Sequence, residues 1–127
     1  TGSAEQSNII ALGSSNVQNA YIKVAWTVTS DAREKIDLGS VEHGLDFVSK
    51  LEPKRFQFKE EREDTTGDGV DRYGFFAQDV LALEGDDPVI VNNSNPDKLG
   101  MTYEKLIPVL VNAIKELKAE VDQLKNA

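Results

Sequence analysis

The stretch TYEKLIPVLVNAIKELKAEVDQLK, residues 102–125, has the clearest periodicity in the chain. Its apolar residues alternate at spacings of three and four, with Ile or Val at heptad position a and Leu at d, which is the coiled-coil pattern. The pattern predicts a long helix over 102–127, with Thr102 as its N-cap and Pro108 in its first turns, where a missing amide hydrogen costs little. We call the six a and d residues the seam: Ile107, Leu110, Ile114, Leu117, Val121 and Leu124.

Burial of this seam is required, because an isolated helix with one apolar stripe is marginal in water. The stripe either packs on its own domain or meets further copies of the chain, and we favour self-association. Ile or Val at a with Leu at d is typical of parallel two-stranded coiled coils.

Composition limits the class of protein. The chain has 127 residues, of which 39% are hydrophobic, and this suits one modest domain. A net charge of -8 argues against nucleic acid or an anionic membrane as partner. The absence of cysteine excludes disulfides and thiolate metal sites, and the single histidine, His43, has no partner at metal-ligand spacing. We therefore expect no metal and no cofactor.

The first 29 residues differ in composition from the rest. Their only charged residues, Glu5 and Lys23, cancel, so all the excess acid follows Ser30. Within this segment Ile22, Val24, Trp26 and Val28 alternate with other side chains, which predicts a strand. We interpret 1–29 as the C-terminal end of an upstream β-rich structure, and 30–127 as a separate domain.

The middle of the chain predicts an α+β fold of short elements. Val41–Leu51 has a helical apolar face with Ser40 as N-cap, and Ala77–Leu83 suits one or two helical turns. The strand-like segments are Phe56–Lys59, Tyr73–Phe76 and Val89–Val91, of which the first two form a hairpin with a polar tip over 59–72. The aromatic residues expected in the core are Trp26, Phe56, Phe58, Tyr73, Phe75 and Phe76.

Ser30 and Lys35 place a hydroxyl and an amine in one short segment, the two parts of a Ser/Lys nucleophile pair. Five residues on an α-helix would separate the side chains by about 140°, so the pair requires a turn. On spacing alone, Ser30-Asp31 as a cap beside a solvated Arg33-Glu34-Lys35 face is the favoured interpretation.

The chemistry open to such a pair is attack on the preceding carbonyl. The Ser30 hydroxyl can reach the Thr29 carbonyl through a five-membered ring and move the acyl group from nitrogen to oxygen, after which water cleaves the ester. A lysine, with an ordinary pKa of about 10.4, serves as the base only when burial or a second cation such as Arg33 disfavours its charged form.

The hairpin tip carries an alternative site. Asp64, Asp68 and Asp71 surround two glycines, as in a calcium loop, but the order of acids that an EF-hand requires is absent. A polar tip is the favoured interpretation. A module whose tip around Gly67 binds a receptor or a cation remains one rival function.

Four segments in order carry a more specific signal: TSDAREK at 29–35, GLDFVSKLEP at 44–53, YGFFAQDV at 73–80 and YEKLIPVL at 103–110. Together they resemble the C-terminal intramolecular chaperone domain of phage tail spikes and tail fibres, of the endosialidase type. The resemblance covers the chain from Ser30 onward.

The resemblance implies an intertwined homotrimer that helps the upstream fibre segment of the same polypeptide to fold and then cuts itself off. It implies Ser30 as nucleophile, Lys35 as base, Thr29-Ser30 as the scissile bond, and supporting roles for Asp31 and Arg33. It also implies a precursor made in the host bacterial cytoplasm, with the released chaperone absent from the mature virion. A trimerisation cap that never cleaves is the other rival.

Overall fold

The computed structural model describes residues 8–14 and 16–127. This part of the chain forms two compact units: the described residues up to Lys35 with Gln57–Asp71, and Ile36–Phe56 with Arg72–Ala127. Short helices and strands combine with one long C-terminal helix, which agrees with the predicted α+β class. None of the described helices is both long and apolar enough to cross a membrane.

The second unit contains all the regular helices and strands of the described residues. Its strands form two antiparallel pairs, with Arg55 opposite Tyr73 in the first and Val91 opposite Met101 in the second. In chain order the elements are α1 (Leu45–Ser49), β1 (Lys54–Phe56), β2 (Arg72–Gly74), α2 (Ala77–Glu84), β3 (Val91–Asn92), β4 (Gly100–Met101), a 3-10 turn (Tyr103–Lys105) and α3 (Leu106–Lys125).

The core of this unit lies where α1, α2 and β3 meet the first half of α3. Val80 of α2 is the most completely buried large side chain, with 1% of its surface exposed. The other buried members of the cluster are Phe47, Ile90, Val91, Leu106 and Val109. Removing such side chains from water is the main source of stability for a domain of this size.

Helix α3 has two apolar faces with different surroundings. Leu106, Val109 and Ala113 are buried in the unit's own core. The seam points elsewhere, because its six side chains keep between 40% and 76% of their surface exposed. One face of α3 therefore packs on its own domain, while the seam, on a separate face, stays exposed. Thr102 precedes the 3-10 turn without a side-chain cap bond, and Pro108 lies in the first turn of α3, as predicted.

Helix α1 is shorter than the predicted Val41–Leu51, and the prediction of Ser40 as its N-cap is wrong. It begins at Leu45, after Gly44, which has no capping side chain. Instead, the Leu45 amide donates to Glu116 Oε2 of α3 at 3.2 Å. Asn112 Nδ2 donates to the carbonyls of Val41 and His43, at 3.1 Å each. These bonds hold residues 41–44 as a non-helical segment ahead of α1.

The Glu84 carboxylate sets the start of β3. It accepts hydrogen bonds from the backbone amides of Val89, Ile90 and Val91, at 2.9, 2.9 and 2.8 Å. All three residues were expected in a strand over 89–91. The carboxylate takes the amide donors of all three residues, and only Val91, which pairs with Met101, lies in the strand, so β3 begins at Val91. Ile90 and Val91 are buried, whereas Val89 is exposed.

The predicted hairpin is confirmed, although each strand begins before the predicted one, and β4 was not predicted. Its tip, Gln57–Asp71, belongs to the first unit. Gln57 holds this tip together, because its Oε1 accepts from the Gly69 amide at 3.0 Å and its Nε2 donates to Asp71 Oδ1 at 2.7 Å. The positive φ of Gly69, 81°, is a conformation that glycine adopts without strain.

The predicted strand over 20–29 is absent from the described structure, because a strand requires a neighbour and the described residues supply none. Residues 1–7 and Ser15 of the predicted upstream segment lie outside the described residues. The expected aromatic core is largely wrong: Trp26 is 73% exposed, Phe58 and Tyr73 are also exposed, and Phe75 packs against the core.

Candidate active site

A single 3-10 turn, Ala32–Glu34, separates the two residues of the predicted pair. Asp31 is its N-cap and accepts the Arg33 amide on Oδ1 at 2.9 Å. Backbone bonds close the turn from Glu34 to the Asp31 carbonyl at 3.0 Å and from Lys35 to the Ala32 carbonyl at 3.1 Å. A short polar residue at the N-cap is what the sequence Ser30-Asp31 offers, and the chain uses Asp31 in that role.

Ser30 and Lys35 meet across this turn. Lys35 Nζ donates a hydrogen bond to Ser30 Oγ at 2.6 Å. Lys35 itself has extended backbone, with φ -119° and ψ 148°, so the chain leaves the helical path immediately after the turn. This is the condition that the five-residue spacing imposed, since a continuous α-helix would keep the side chains apart. We call Ser30 and Lys35 the dyad.

Asp31 and Arg33 form an ion pair on the same turn. Arg33 Nη2 lies 2.7 Å from Asp31 Oδ2, and Arg33 Nε lies 3.1 Å from Oδ1. The Arg33 side chain, and then its backbone amide, hold the pKa of Asp31 below its usual value, and Asp31 in turn raises the pKa of Arg33. Because Asp31 offsets its charge, Arg33 is committed to shaping the turn and is not a free cation beside Lys35.

The dyad is open to solvent in the single chain, since every residue of 30–35 is exposed. In the hydrogen bond as it stands, the lysine is the donor and the serine oxygen the acceptor. The turn therefore holds the two side chains in contact. General-base catalysis additionally requires that Nζ lose a proton, so that it can take the one on Oγ.

The other residues that the sequence suggested as possible ligands make structural contacts. His43 stacks on Phe47, with ring centroids 4.3 Å apart. At the hairpin tip, the carboxylates of Asp64, Asp68 and Asp71 accept hydrogen bonds from groups within the tip itself. The seam lies on the second unit, whereas the dyad turn belongs to the first.

The sequence analysis did not predict the structural roles of two polar residues of α3. Asn112 and Glu116 bind the backbone at 41–45. A signal was present, because Asn is a poor helix former and its place in the middle of a long helix suggests a tertiary hydrogen bond.

Comparison with known proteins gives one match. A peptidase family model described as "Chaperone of endosialidase" matches residues 30–89. That segment contains the dyad turn, α1, the whole hairpin and α2. Neither the curated proteins nor the solved structures that were compared gave a match. Residues 30–89 of this chain are therefore similar to the chaperone-of-endosialidase family, a peptidase-related family.

Proposed function

We propose that this chain is an intramolecular chaperone of a phage tail fibre or spike, which assembles as a homotrimer and releases itself by cutting the Thr29-Ser30 bond. The observation that carries the proposal is the 2.6 Å contact between Lys35 Nζ and Ser30 Oγ. It lies within the segment that matches the family model, whose first matched residue is Ser30. The domain boundary at 29/30 is part of the same proposal, as is synthesis as a precursor in the host bacterium.

Cleavage would follow an N-to-O acyl shift. Neutral Lys35 Nζ takes the hydroxyl proton, and Ser30 Oγ attacks the Thr29 carbonyl carbon to form a five-membered ring. The C–N bond then breaks, the proton passes to the Ser30 nitrogen, and an ester joins Thr29 to Ser30 Oγ. Water hydrolyses this ester, leaving a carboxylate on Thr29 and a free amine on Ser30.

Assembly would switch the dyad on. In the single chain Lys35 is exposed, and its Nζ is the donor of the hydrogen bond to Ser30 Oγ. Packing of copies around the turn would exclude water and disfavour the ammonium form, so that cleavage follows correct association. The Asp31–Arg33 pair would keep the turn closed until then.

The exposed seam supports self-association. Ile114 keeps 66% of its surface exposed and Leu124 keeps 76%, although both lie on the apolar side of α3. An apolar stripe of this length is unfavourable in water and is typical of a helix that meets its own copies. Gathering the chains in this way lowers the entropic cost of starting the slow, long-range strand pairing of a fibre.

The segment ahead of the dyad supports a role for upstream partners. Ile22, Val24, Trp26 and Val28 are all exposed in the single chain. Their alternation fits a strand that forms only where a neighbouring strand is supplied. We propose that the neighbour comes from the upstream fibre and from the other copies.

A non-cleaving trimerisation cap is the second candidate. It is favoured by one observation, that Lys35 is exposed and donates a hydrogen bond to Ser30 Oγ. In that case the dyad contact only closes the turn, and the seam alone performs the function.

Intact mass of the freshly purified chain, beside Ser30→Ala and Lys35→Ala, tests the proposal, with the oligomeric state measured on the same samples. We expect a wild-type product that begins at Ser30, absent from both variants, while all three remain trimers. An uncut wild-type trimer would remove the protease and leave the cap.

A further inference from the structure

The last turns of α3 carry two unpaired charges beside the seam. With Ile107 at position a, Glu120 falls at g and Lys125 at e of the final heptad. Both side chains are exposed, and neither has an ion-pair partner among the residues that the structure describes. By contrast, Lys118, at the preceding e position, is paired with Asp122 at 2.8 Å.

The heptad positions of Glu120 and Lys125 determine which residue of a neighbouring helix each side chain can contact. In a parallel, in-register coiled coil, a residue at g lies beside the residue at the following e position of the neighbouring helix. Glu120 of one copy would therefore lie beside Lys125 of the next. In an antiparallel pair with matched seam layers, Glu120 would face Ala113 instead. The remaining g and e positions of α3, Leu106, Val111 and Ala113, are apolar and give no charge preference.

We propose that Glu120 and Lys125 form an ion pair between copies of this chain and so fix parallel, in-register association of α3. The inference rests on the proposed function, since it requires that copies associate through the seam. It adds the residues that hold the helices in register. Parallel association brings identical residues of all copies to the same level along the helix axis.

Charge reversal tests the pair, with every variant made in a Ser30→Ala background so that the chain stays intact. Glu120→Lys and Lys125→Glu each place like charges together, and we expect each to weaken association at low salt by about ten-fold. The double reversal restores opposite charges and should return association to within about two-fold of the parent. Lys115→Glu, at exposed position b, is the matched control and should leave association unchanged.

A cysteine crosslink tests the orientation independently, because the chain contains no cysteine of its own. In a parallel assembly, Ala127→Cys brings the thiols of all copies to the same end, just past the last residue of α3, and oxidation should give interchain disulfides. An antiparallel pair would separate them by roughly the 30 Å length of a 20-residue helix, and no disulfide should form.

The possible results distinguish a failure of the ion pair from a failure of the proposed function on which it rests. A parent chain that stays monomeric would overturn both. An oligomer that ignores the single reversals, is not rescued by the double reversal, or forms no interchain disulfide in the Ala127→Cys variant would overturn the ion pair and its orientation alone.

Discussion

Asp31 and Arg33 form a two-point ion pair across one turn, with nitrogen–oxygen distances of 2.7 and 3.1 Å. The same carboxylate accepts the Arg33 backbone amide. An exposed pair of this kind adds little to global stability. Its effect is local, because it closes the turn whose two ends carry Ser30 and Lys35.

Removing the Asp31 carboxylate should therefore slow cleavage without unfolding the domain. We expect Asp31→Ala, which loses both the cap and the ion pair, to slow the appearance of the product that begins at Ser30 by about ten-fold or more, since small misplacements of reacting groups are costly. Asp31→Asn keeps a capping oxygen and should be affected less. Intact-mass time courses measure both rates. A wild-type rate for Asp31→Ala would show that the turn needs no such support.

Low pH should destabilise the turn that the Asp31–Arg33 ion pair closes. Because Arg33 lowers the folded-state pKa of Asp31, its stabilisation of the turn is fully present above the ordinary value of about 3.9 and is lost as pH falls through the lower, folded value. Carboxyl NMR shifts should show Asp31 titrating below that ordinary value, and Arg33→Ala should move the midpoint upward. An Asp31 midpoint that is the same in both proteins would contradict this account.

Local patterns predicted the parts of the fold that local forces determine. The seam periodicity predicted α3, and the turn-rich segment between two apolar runs predicted the hairpin. The contact between Ser30 and Lys35 forms across one capped turn. Spacing alone favoured a cap beside a solvated face, which accounts for the turn, and only the family resemblance favoured the pair.

The incorrect predictions concern elements that depend on a residue far away in the sequence or on a neighbouring strand that the described residues do not supply. The N-terminus of α1 is capped by Glu116, which lies 71 residues away, so the local choice of Ser40 was wrong. The start of β3 is set by Glu84, whose spacing to Val89 resembles no standard motif. Alternation at Ile22–Val28 predicts a strand, but no pattern within those residues states which strand should lie beside them.

The contact between Glu116 and Leu45 makes a testable contribution to stability. Glu116→Ala leaves the Leu45 amide without its acceptor, and we expect the free energy of unfolding to fall by about 1–2 kcal/mol. Gly44→Ala should act similarly, because an added Cβ would collide with the Glu116 carboxylate. Urea unfolding of the Ser30→Ala chain measures both, with Lys115→Ala, an exposed residue outside this contact, as the control. Equal stability of Glu116→Ala and the control would argue against a capping role.

The Glu84 carboxylate should matter more, because it satisfies three backbone amides at once. Hydrogen bonds to a charged acceptor are the stronger kind, and we expect Glu84→Ala to cost about 2–3 kcal/mol of unfolding free energy. Asp86→Ala, two residues away and exposed, is the control. Amide hydrogen exchange at Val89, Ile90 and Val91 should accelerate in Glu84→Ala. Unchanged protection there would mean that another acceptor replaces the carboxylate.

Val109 and Leu110 are sequence neighbours on different faces of α3, and they separate folding from association. Val109 is buried in the domain core with 2% of its surface exposed, whereas Leu110 belongs to the seam and is 42% exposed. Val109→Ala removes core methyl groups and should lower the free energy of unfolding of the single chain by about 1–3 kcal/mol.

Leu110→Ala should cost less single-chain stability than Val109→Ala and instead weaken self-association, because 42% of the Leu110 surface stays exposed until another copy covers it. Urea unfolding at low protein concentration and sedimentation across a concentration series distinguish the two effects. If both variants lose stability equally and associate equally, the seam is not the surface through which copies meet, and the exposed face of α3 needs a different explanation.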